Sequence, residues 1–166
     1  MISFIDGDVT KVKIDGPYII PHIVNHSNSL GAGVALSLAK KWPFVKNLYH
    51  SWYNDSIYTD ELNDDIEWML GQVQFVQIND DVYVANMIGQ ATPGGDIIDG
   101  VYLAPIRWDC VREAMLRVRA FAKEHGLKIV APYFGTELAG GTEEALLQLV
   151  NELWSELDVT LVKFIK

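Results

Sequence analysis

Short apolar runs alternate with amphipathic helical segments from one end of this sequence to the other. Such alternation favours a mostly parallel sheet, because each helix carries the chain back to the edge where the next strand begins. The predicted strands are residues 2–6, 18–25, 72–78, 82–88, 127–132 and 159–164. The predicted helices are residues 34–42 and 106–125, and a third that follows Thr142. A hairpin at residues 79–81 adds an antiparallel pair. The expected fold is a three-layer α/β/α domain with a mixed, mostly parallel central sheet.

Several residues mark where the predicted helices begin and end. Gly126 follows the second helix and is the residue type that ends helices in the left-handed conformation. Thr142 is a suitable N-cap for the third helix, and Pro43 ends or restarts the first. Residues 54–65 and 92–100 show neither the apolar spacing of a helix nor the alternation of a strand, so both stretches are predicted to be irregular.

Length, charge and cysteine content limit the class of protein. The 166 residues suit one domain that spans residues 1–166. The formal net charge is −9, and the lysines and arginines are mostly scattered, so binding of a nucleic-acid backbone is disfavoured. No apolar run reaches the roughly 20 residues of a membrane span, and no positively charged leader opens the chain. A lone cysteine, Cys110, fits a reducing compartment. We expect a cytoplasmic protein that does not bind a membrane.

The segment after the second predicted strand, residues 25–35, reads NHSNSLGAGVA. It passes from a strand through small residues directly into a helix. Glycine lets a ligand approach the backbone, and the free amides at a helix N-terminus bind anions. The alternative is a tight turn that holds no ligand. A dinucleotide fingerprint would need glycine at Leu36, and the Gly-Lys-Ser/Thr of a Walker A loop is missing.

Two further segments leave predicted strands at the same edge of the sheet. Residues 132–141, PYFGTELAGG, form a second glycine-rich passage from strand to helix. Asp8, in the turn after the first strand, offers a carboxylate that can accept hydrogen bonds from an amino group. Ligands of α/β sheets lie beyond the carboxyl ends of the strands. The two glycine loops are therefore predicted to hold a diphosphate between them.

Taken together, these segments resemble macro domains. Residues 4–10, FIDGDVT, look like the opening G-D-[IV]-T of that family, and residues 25–35 are similar to its asparagine- and glycine-rich loop. Residues 85–90, ANMIGQ, resemble a strand of one bacterial and phage branch, and residues 132–141 resemble the second phosphate loop of that branch. The resemblance implies a cleft for ADP-ribose or its derivatives. The histidines and Cys110 lack metal-ligand spacing, so neither a metal nor a cofactor is expected.

The resemblance also implies a role for each part of the cleft. Asp8 would bind the adenine amino group, with the Val9 amide nearby. Phe164 would face the adenine, or else pack in the core. Asn28 would lie beside the distal ribose, and backbone amides of the two loops would wrap the diphosphate and that ribose. The predicted contact residues of the loops are Gly31, Gly33, Val34, Ala35, Pro132, Phe134, Gly135, Thr136, Glu137, Leu138 and Ala139.

The catalytic assignment depends on the polar residues of the two loops. One branch of macro hydrolases has an aspartate where Ala35 stands, and another has a lysine and an aspartate near Gln90 and Ala139. Those two mechanisms therefore do not transfer to this sequence. The remaining candidates for acid/base work or for placing a water are Asn25, His26, Asn28 and Glu137. For His26 the alternative is a side chain that caps its own loop.

Two functions are compatible with this pattern. The first is an enzyme that acts at the distal ribose, either a phosphatase on ADP-ribose 1″-phosphate or a hydrolase of ADP-ribosyl or O-acetyl-ADP-ribosyl esters. The second is a non-catalytic module that binds ADP-ribose or an ADP-ribosylated partner. The missing carboxylates favour the module, whereas a domain without an attached effector favours the enzyme, which is preferred. The tryptophans, Trp108 among them, are predicted to be packing residues.

Overall fold

The computed structural model describes residues 1–25, 33–59, 70–90, 96–103, 106–136 and 140–165. The strands in these ranges are β1 (Ile2–Asp6), β2 (Tyr18–Asn25), β3 (Val73–Gln77), β4 (Val82–Gln90), β5 (Asp96–Ile98), β6 (Val101–Leu103), β7 (Lys128–Pro132) and β8 (Val159–Lys163). The helices are α1 (Gly33–Lys41), α2 (Pro43–Thr59), α3 (Trp108–His125) and α4 (Glu143–Trp154).

The main sheet has six strands in the order β1-β8-β7-β2-β4-β3. Every neighbouring pair is parallel except β3 and β4, which are antiparallel. The turn between those two is the predicted hairpin. In it, Asn79 Oδ1 accepts hydrogen bonds from the amides of Asp81 at 2.8 Å and Val82 at 2.9 Å. The predicted mixed, mostly parallel sheet is confirmed.

Helices cover both faces of this sheet, because successive strand residues point to opposite sides. Ile19 and Ile129 pack against α3 and α4, whereas their neighbours Ile20 and Val130 pack against α1 and α2. Strands that are buried on both faces are apolar at consecutive positions, which is how β2 and β7 read in the sequence. The three-layer arrangement is thus confirmed.

The helix boundary signals are confirmed by the local geometry. Gly126 ends α3 with a φ of 65°, in the left-handed region. Thr142 caps α4, and its hydroxyl oxygen accepts a hydrogen bond from the amide of Ala145 at 3.1 Å. Pro43 is the first residue of α2, a position where its missing amide hydrogen costs nothing.

Both stretches that were predicted to be irregular contain regular structure. The helix α2 continues to Thr59, and residues 96–103 form the small antiparallel hairpin β5–β6. Asn, Asp and Ser at positions 54–56 favour loops individually, but that preference is weak against the rest of a helix. Strands as short as β5 and β6 give too little alternation to stand out beside Pro93-Gly94-Gly95. The prediction was wrong for residues 54–59 and 96–98, whereas residues 60–65 and 92–95 lie outside the described residues.

A chain of hydrogen-bonded polar side chains, two of them buried, runs across β2, β4 and β3. Gln74 Nε2 donates to the carbonyl of Leu48 in α2 at 3.0 Å, so Gln74 Oε1 accepts from Asn86 Nδ2 at 3.0 Å. Asn86 Oδ1 then accepts from His22 Nε2 at 2.5 Å. His22 Nδ1 is buried without a hydrogen-bond partner among the described residues. The chain of donors therefore fixes the neutral His22 tautomer that carries its proton on Nε2.

Gly89, near the end of β4, lies where α3 crosses the sheet. A Cβ atom at this position would be 2.6 Å from Cγ2 of Val111. We expect Gly89→Ala to lower the free energy of unfolding by about 2 kcal/mol through overpacking, measured by urea denaturation. The matched control is the same substitution combined with Val111→Ala, which removes the obstructing methyl group. If the loss in the double variant equals the sum of the losses in Gly89→Ala and Val111→Ala alone, the clash with Val111 does not cause the destabilisation.

Candidate functional site

The parallel strands β1, β8, β7, β2 and β4 all end at one edge of the sheet. The turn with Asp8 follows β1, Phe164 follows β8, the second glycine loop follows β7, and β2 leads toward α1. The amide of Gly7 donates to the carbonyl of Lys163 at 2.8 Å, which ties the turn after β1 to the end of β8. Asp8 and Phe164 therefore lie on neighbouring strands of this edge.

The turn after β1 holds one of the two carboxylate oxygens of Asp8 in place. Asp8 Oδ1 accepts hydrogen bonds from the Thr10 amide at 2.8 Å and from the Thr10 hydroxyl at 2.7 Å. Val9 and Thr10 are buried, whereas Asp8 is half-buried. None of the described residues donates a hydrogen bond to Oδ2. That oxygen remains available to a ligand.

The charge of Asp8 is set by its neighbours. Partial burial raises the pKa of the carboxyl, but the two Thr10 hydrogen bonds and the charges of Lys11 and Lys41 outweigh it and lower the pKa below its usual value. Asp8 is therefore ionised at neutral pH, and Oδ2 can only accept hydrogen bonds. Lys41, the last residue of α1, also donates to the backbone carbonyl of Thr10 and so joins α1 to this turn.

Phe164 does not pack in the core, which was the alternative for this residue. Its side chain is 60 % exposed, immediately after the end of β8. That exposure leaves Phe164 open to a ligand. Contact with adenine stays a prediction.

The two described ends of the loop after β7 lie close together. Gly135 has a φ of 78°, in the region that favours glycine. The amide of Gly141 donates to the carbonyl of Gly135 at 2.9 Å, and Thr136 pairs with Gly141 in an isolated β-bridge. The two ends of the loop are therefore held side by side before α4 begins.

Three of the predicted contact residues in this region have their side chains committed elsewhere. Phe134 is buried and packs edge-on against Trp154, with ring centroids 5.9 Å apart. Pro132 is buried in β7. The Thr136 hydroxyl donates to the carbonyl of Tyr133 at 2.7 Å. A ligand contact of the buried Pro132 and Phe134 would involve backbone groups, whereas the Thr136 hydroxyl can still accept a hydrogen bond; all three contacts stay predictions.

The first glycine loop leads into α1, which begins at Gly33. Val34 and Ala35 are half-buried and pack against the apolar residues beneath α1. For Asn25, at the end of β2, and for Gly33, the structure describes the backbone alone. The predicted site residues that lie outside the described residues are His26, Asn28, Gly31, Glu137, Leu138 and Ala139. Their roles stay predictions.

The sequence did not predict three residues that hold parts of the candidate site in place: Thr10, Lys41 and Trp108. Thr10 belongs to the GDVT segment, and a hydroxyl two residues after an aspartate is a recognisable signal for such a turn. Lys41 and Trp108 gave no comparable signal. Each reaches its contacts from a helix far away in sequence.

The described residues contain neither a candidate metal site nor a candidate membrane-spanning helix. Within the described ranges, no group of three or more His, Cys, Asp and Glu side chains is placed to hold a metal ion. Among the helices in those ranges, none combines the length and apolar character that crossing a bilayer requires.

The α/β/α fold, in which the two glycine-rich segments follow the carboxyl ends of β2 and β7, agrees with the resemblance to macro domains. No protein-family model matches the sequence, and no curated protein does. Among solved structures, a protein of unknown function from Bacteroides thetaiotaomicron is 36% identical with a TM-score of 0.85, and the match covers 98% of each chain. A macrodomain protein from Streptomyces coelicolor is 30% identical with a TM-score of 0.76, again over 98% of each chain. This chain belongs to the macrodomain family.

A more distant structure shares the fold alone. Thermosipho africanus DarTG, solved in complex with ADP-ribose, is 13% identical with a TM-score of 0.70. The match covers 99% of this chain and 41% of that one.

Proposed function

We propose that this protein binds ADP-ribose or a derivative of it at the carboxyl edge of the sheet and cleaves a bond at the distal ribose. The observation that carries the proposal is the Asp8 carboxylate. It is ionised, one of its oxygens is fixed by Thr10, and none of the described residues donates to the other; the exposed Phe164 follows the neighbouring strand β8. An acceptor next to an aromatic ring suits an adenine, which offers an amino group and a flat face. The complex of the DarTG protein with ADP-ribose supports the ligand class.

In this proposal the rest of the ligand extends from Asp8 across the ends of β8, β7 and β2. The diphosphate accepts hydrogen bonds from backbone amides at the start of α1, near Gly33, and from the loop that begins at Gly135. The partial positive charge of a helix N-terminus favours an anion there. A net charge of −9 is compatible with this arrangement, because the donors are amides and no lysine cluster is needed.

The proposed reaction is hydrolysis. Water attacks the phosphorus of ADP-ribose 1″-phosphate, or the acyl carbon of an ADP-ribosyl or O-acetyl-ADP-ribosyl ester, and the bond to the ribose oxygen breaks. That oxygen takes up a proton and leaves on ADP-ribose. Asn28 orients the distal ribose, Asn25 or His26 places the water, and Glu137 completes an acid/base pair across the cleft. Positioning and amide donors to the developing charge supply much of the rate.

A non-catalytic ADP-ribose module is the second candidate, and two positions favour it. Ala35, in α1, packs against a cluster that includes the buried Tyr49. An alanine at this position supplies no carboxylate to the cleft. Gln90 ends β4 at the place where one hydrolase branch has a lysine. The partner in this case is free ADP-ribose or an ADP-ribosylated macromolecule.

Calorimetric titration tests the binding proposal. We expect ADP-ribose to bind with a micromolar dissociation constant, about 8 kcal/mol at 1 μM, and more tightly than ADP, AMP or NAD. No heat at millimolar ADP-ribose would refute the proposal. A phosphate-release assay on the 1″-phosphate, with an ester-cleavage assay beside it, separates the enzyme from the module. Binding without either reaction favours the module.

Thr10 provides a graded test of the Asp8 assignment. Thr10→Val keeps the shape of the side chain but removes the hydroxyl donor to Asp8 Oδ1. We expect the affinity for ADP-ribose to fall about fivefold, equivalent to about 1 kcal/mol for one lost hydrogen bond. Thr10→Ser is the matched control, because it retains the hydroxyl. Equal losses in both variants would show that the hydroxyl does not orient the carboxylate.

A further inference from the structure

Trp108, the first residue of α3, lies directly against both ends of the loop that follows β7. A Cβ atom at Gly135 would be 2.9 Å from Cη2 of the indole, and one at Gly141 would be 2.5 Å from Cζ2. Side-chain carbons do not approach other atoms that closely. Both glycines therefore bring bare backbone onto the same indole ring.

The ring itself is held in place by the end of the sheet. The amide of Arg107 donates to the carbonyl of Gly89 at 2.8 Å, and Ile106 pairs with Gln90 in an isolated β-bridge. The start of α3 is thus fastened to the last residues of β4. Trp108 is half-buried and packs against the large core cluster between the sheet and helices α3 and α4.

The two described ends of the loop are packed against this ring and bonded to each other. Gly135 is enclosed by Trp108, Ile106 and Ile23, with the two isoleucine Cδ1 atoms 3.1 and 3.3 Å from the position of a Cβ. The hydrogen bond from the Gly141 amide to the Gly135 carbonyl ties the other end of the loop to the same spot. A shift of the indole would displace both ends of the loop together.

We propose that Trp108 is a positioning residue that sets where the backbone of Gly135, Thr136 and Gly141, at the two described ends of the second glycine loop, lies relative to the ligand. Trp108 acts through the loop and does not touch the ligand itself. This inference rests on the proposed function, in which the loop that begins at Gly135 binds the diphosphate and the distal ribose. Hydrogen bonds weaken steeply as their length and angle change, so a small displacement of the loop lowers affinity.

The adenine end of the cleft does not depend on this ring. Asp8 is held by Thr10, and the turn after β1 is held by the bond between Gly7 and Lys163. These contacts involve β1 and β8, and none of them includes Trp108. A change at Trp108 should therefore affect ligands that reach the second loop more than a ligand that ends near the adenine.

The test compares Trp108→Ala with the wild type for ADP-ribose, by calorimetry, and for AMP, by NMR titration in the millimolar range. We expect the affinity for ADP-ribose to fall about tenfold or more, the equivalent of at least one lost hydrogen bond, while that for AMP falls about twofold or less. The affinity of Trp108→Phe for ADP-ribose should lie between those of the wild type and Trp108→Ala, because phenylalanine retains part of the ring. If Trp108→Ala does not fold, Trp108→Phe must itself show the selective loss.

Phe121→Ala is the matched control for general destabilisation. Phe121 is in the same helix, and its ring stacks on Phe75 at a centroid distance of 4.0 Å, away from the loop. Its removal should lower the melting temperature and leave the affinity for ADP-ribose unchanged while the protein is folded. An unaltered affinity in the Trp108 variants, or an equal loss in Phe121→Ala, would overturn the inference. Absence of binding by the wild type would instead overturn the proposed function on which it rests.

Discussion

Asp8→Asn is expected to lower the affinity for ADP-ribose by about 1.5–3 kcal/mol, roughly 10- to 150-fold, with the fold retained. The Thr10 amide can only donate, and it lies 2.8 Å from Oδ1. In the variant, that position must be taken by the amide oxygen, so the amide nitrogen occupies the place of Oδ2. A donor then faces the amino group of adenine, which is also a donor.

The same reasoning predicts a reversal of base preference. A hypoxanthine analogue of ADP-ribose offers an oxygen where adenine offers an amino group, so wild-type Asp8 should reject it and Asp8→Asn should accept it. Calorimetry with both ligands on both proteins measures the effect. Asp8→Ala is the control, because it should lose affinity for ADP-ribose without gaining any for the analogue. If Asp8→Asn binds both ligands as the wild type does, Asp8 does not contact the base.

His22 is expected to cost the folded protein about 3 kcal/mol of stability as the pH falls from 6.5 to 4. Burial lowers the pKa of the imidazole to about 4, although the hydrogen bond to Asn86 opposes this shift. As the pH falls below 6.5, the unfolded chain binds a proton before the folded chain does. The stability due to neutral His22 is therefore complete above pH 6.5 and is lost progressively down to about pH 4.

Urea denaturation at a series of pH values tests this prediction. His22→Gln is the matched variant, because its side chain can still donate to Asn86 Oδ1 but does not titrate. The difference in unfolding free energy between the wild type and this variant should decrease from pH 7 to pH 4. Carboxylates such as Asp8 contribute equally to both curves and cancel. Parallel curves would show that His22 is not the group responsible.

The elements that could be predicted are those with a local cause. Gly126 and Thr142 mark the ends of helices because the backbone groups they satisfy are only a few residues away. The turn at Asn79 is of the same kind, since one side chain bonds to amides two and three residues on. The edge at which the candidate site forms follows from the alternation of strands and helices. The short β5–β6 hairpin was missed because neither strand is long enough to show a period.

The supporting contacts of the candidate site could not be predicted, because they join distant segments. Lys41 reaches Thr10 from the far end of α1, and Trp108 reaches Gly135 and Gly141 across the end of the sheet. The sequence predicts that Trp108 is a packing residue, but it does not predict that the ring packs against the ends of the second glycine loop. The polar chain from His22 through Asn86 to Gln74 reads in the sequence as three unrelated polar residues in apolar strands. Such pairings depend on strand order, which periodicity alone does not determine.

The position of β1 at the rim of the sheet has a consequence for how the protein opens. β1 is paired with β8 alone, whereas β7, β2 and β4 each have partners on both sides. Phe4 and Ile5 in β1 are substantially exposed, so within the strand Ile2 is the apolar side chain that packs against the core, and Val9 anchors the turn that follows. Partial unfolding that detaches β1 would remove Asp8 while the loop on Trp108 keeps its support. A ligand that contacts both Asp8 and the second glycine loop would hold β1 against the rest of the sheet. We therefore expect ligand binding to slow hydrogen exchange most in β1.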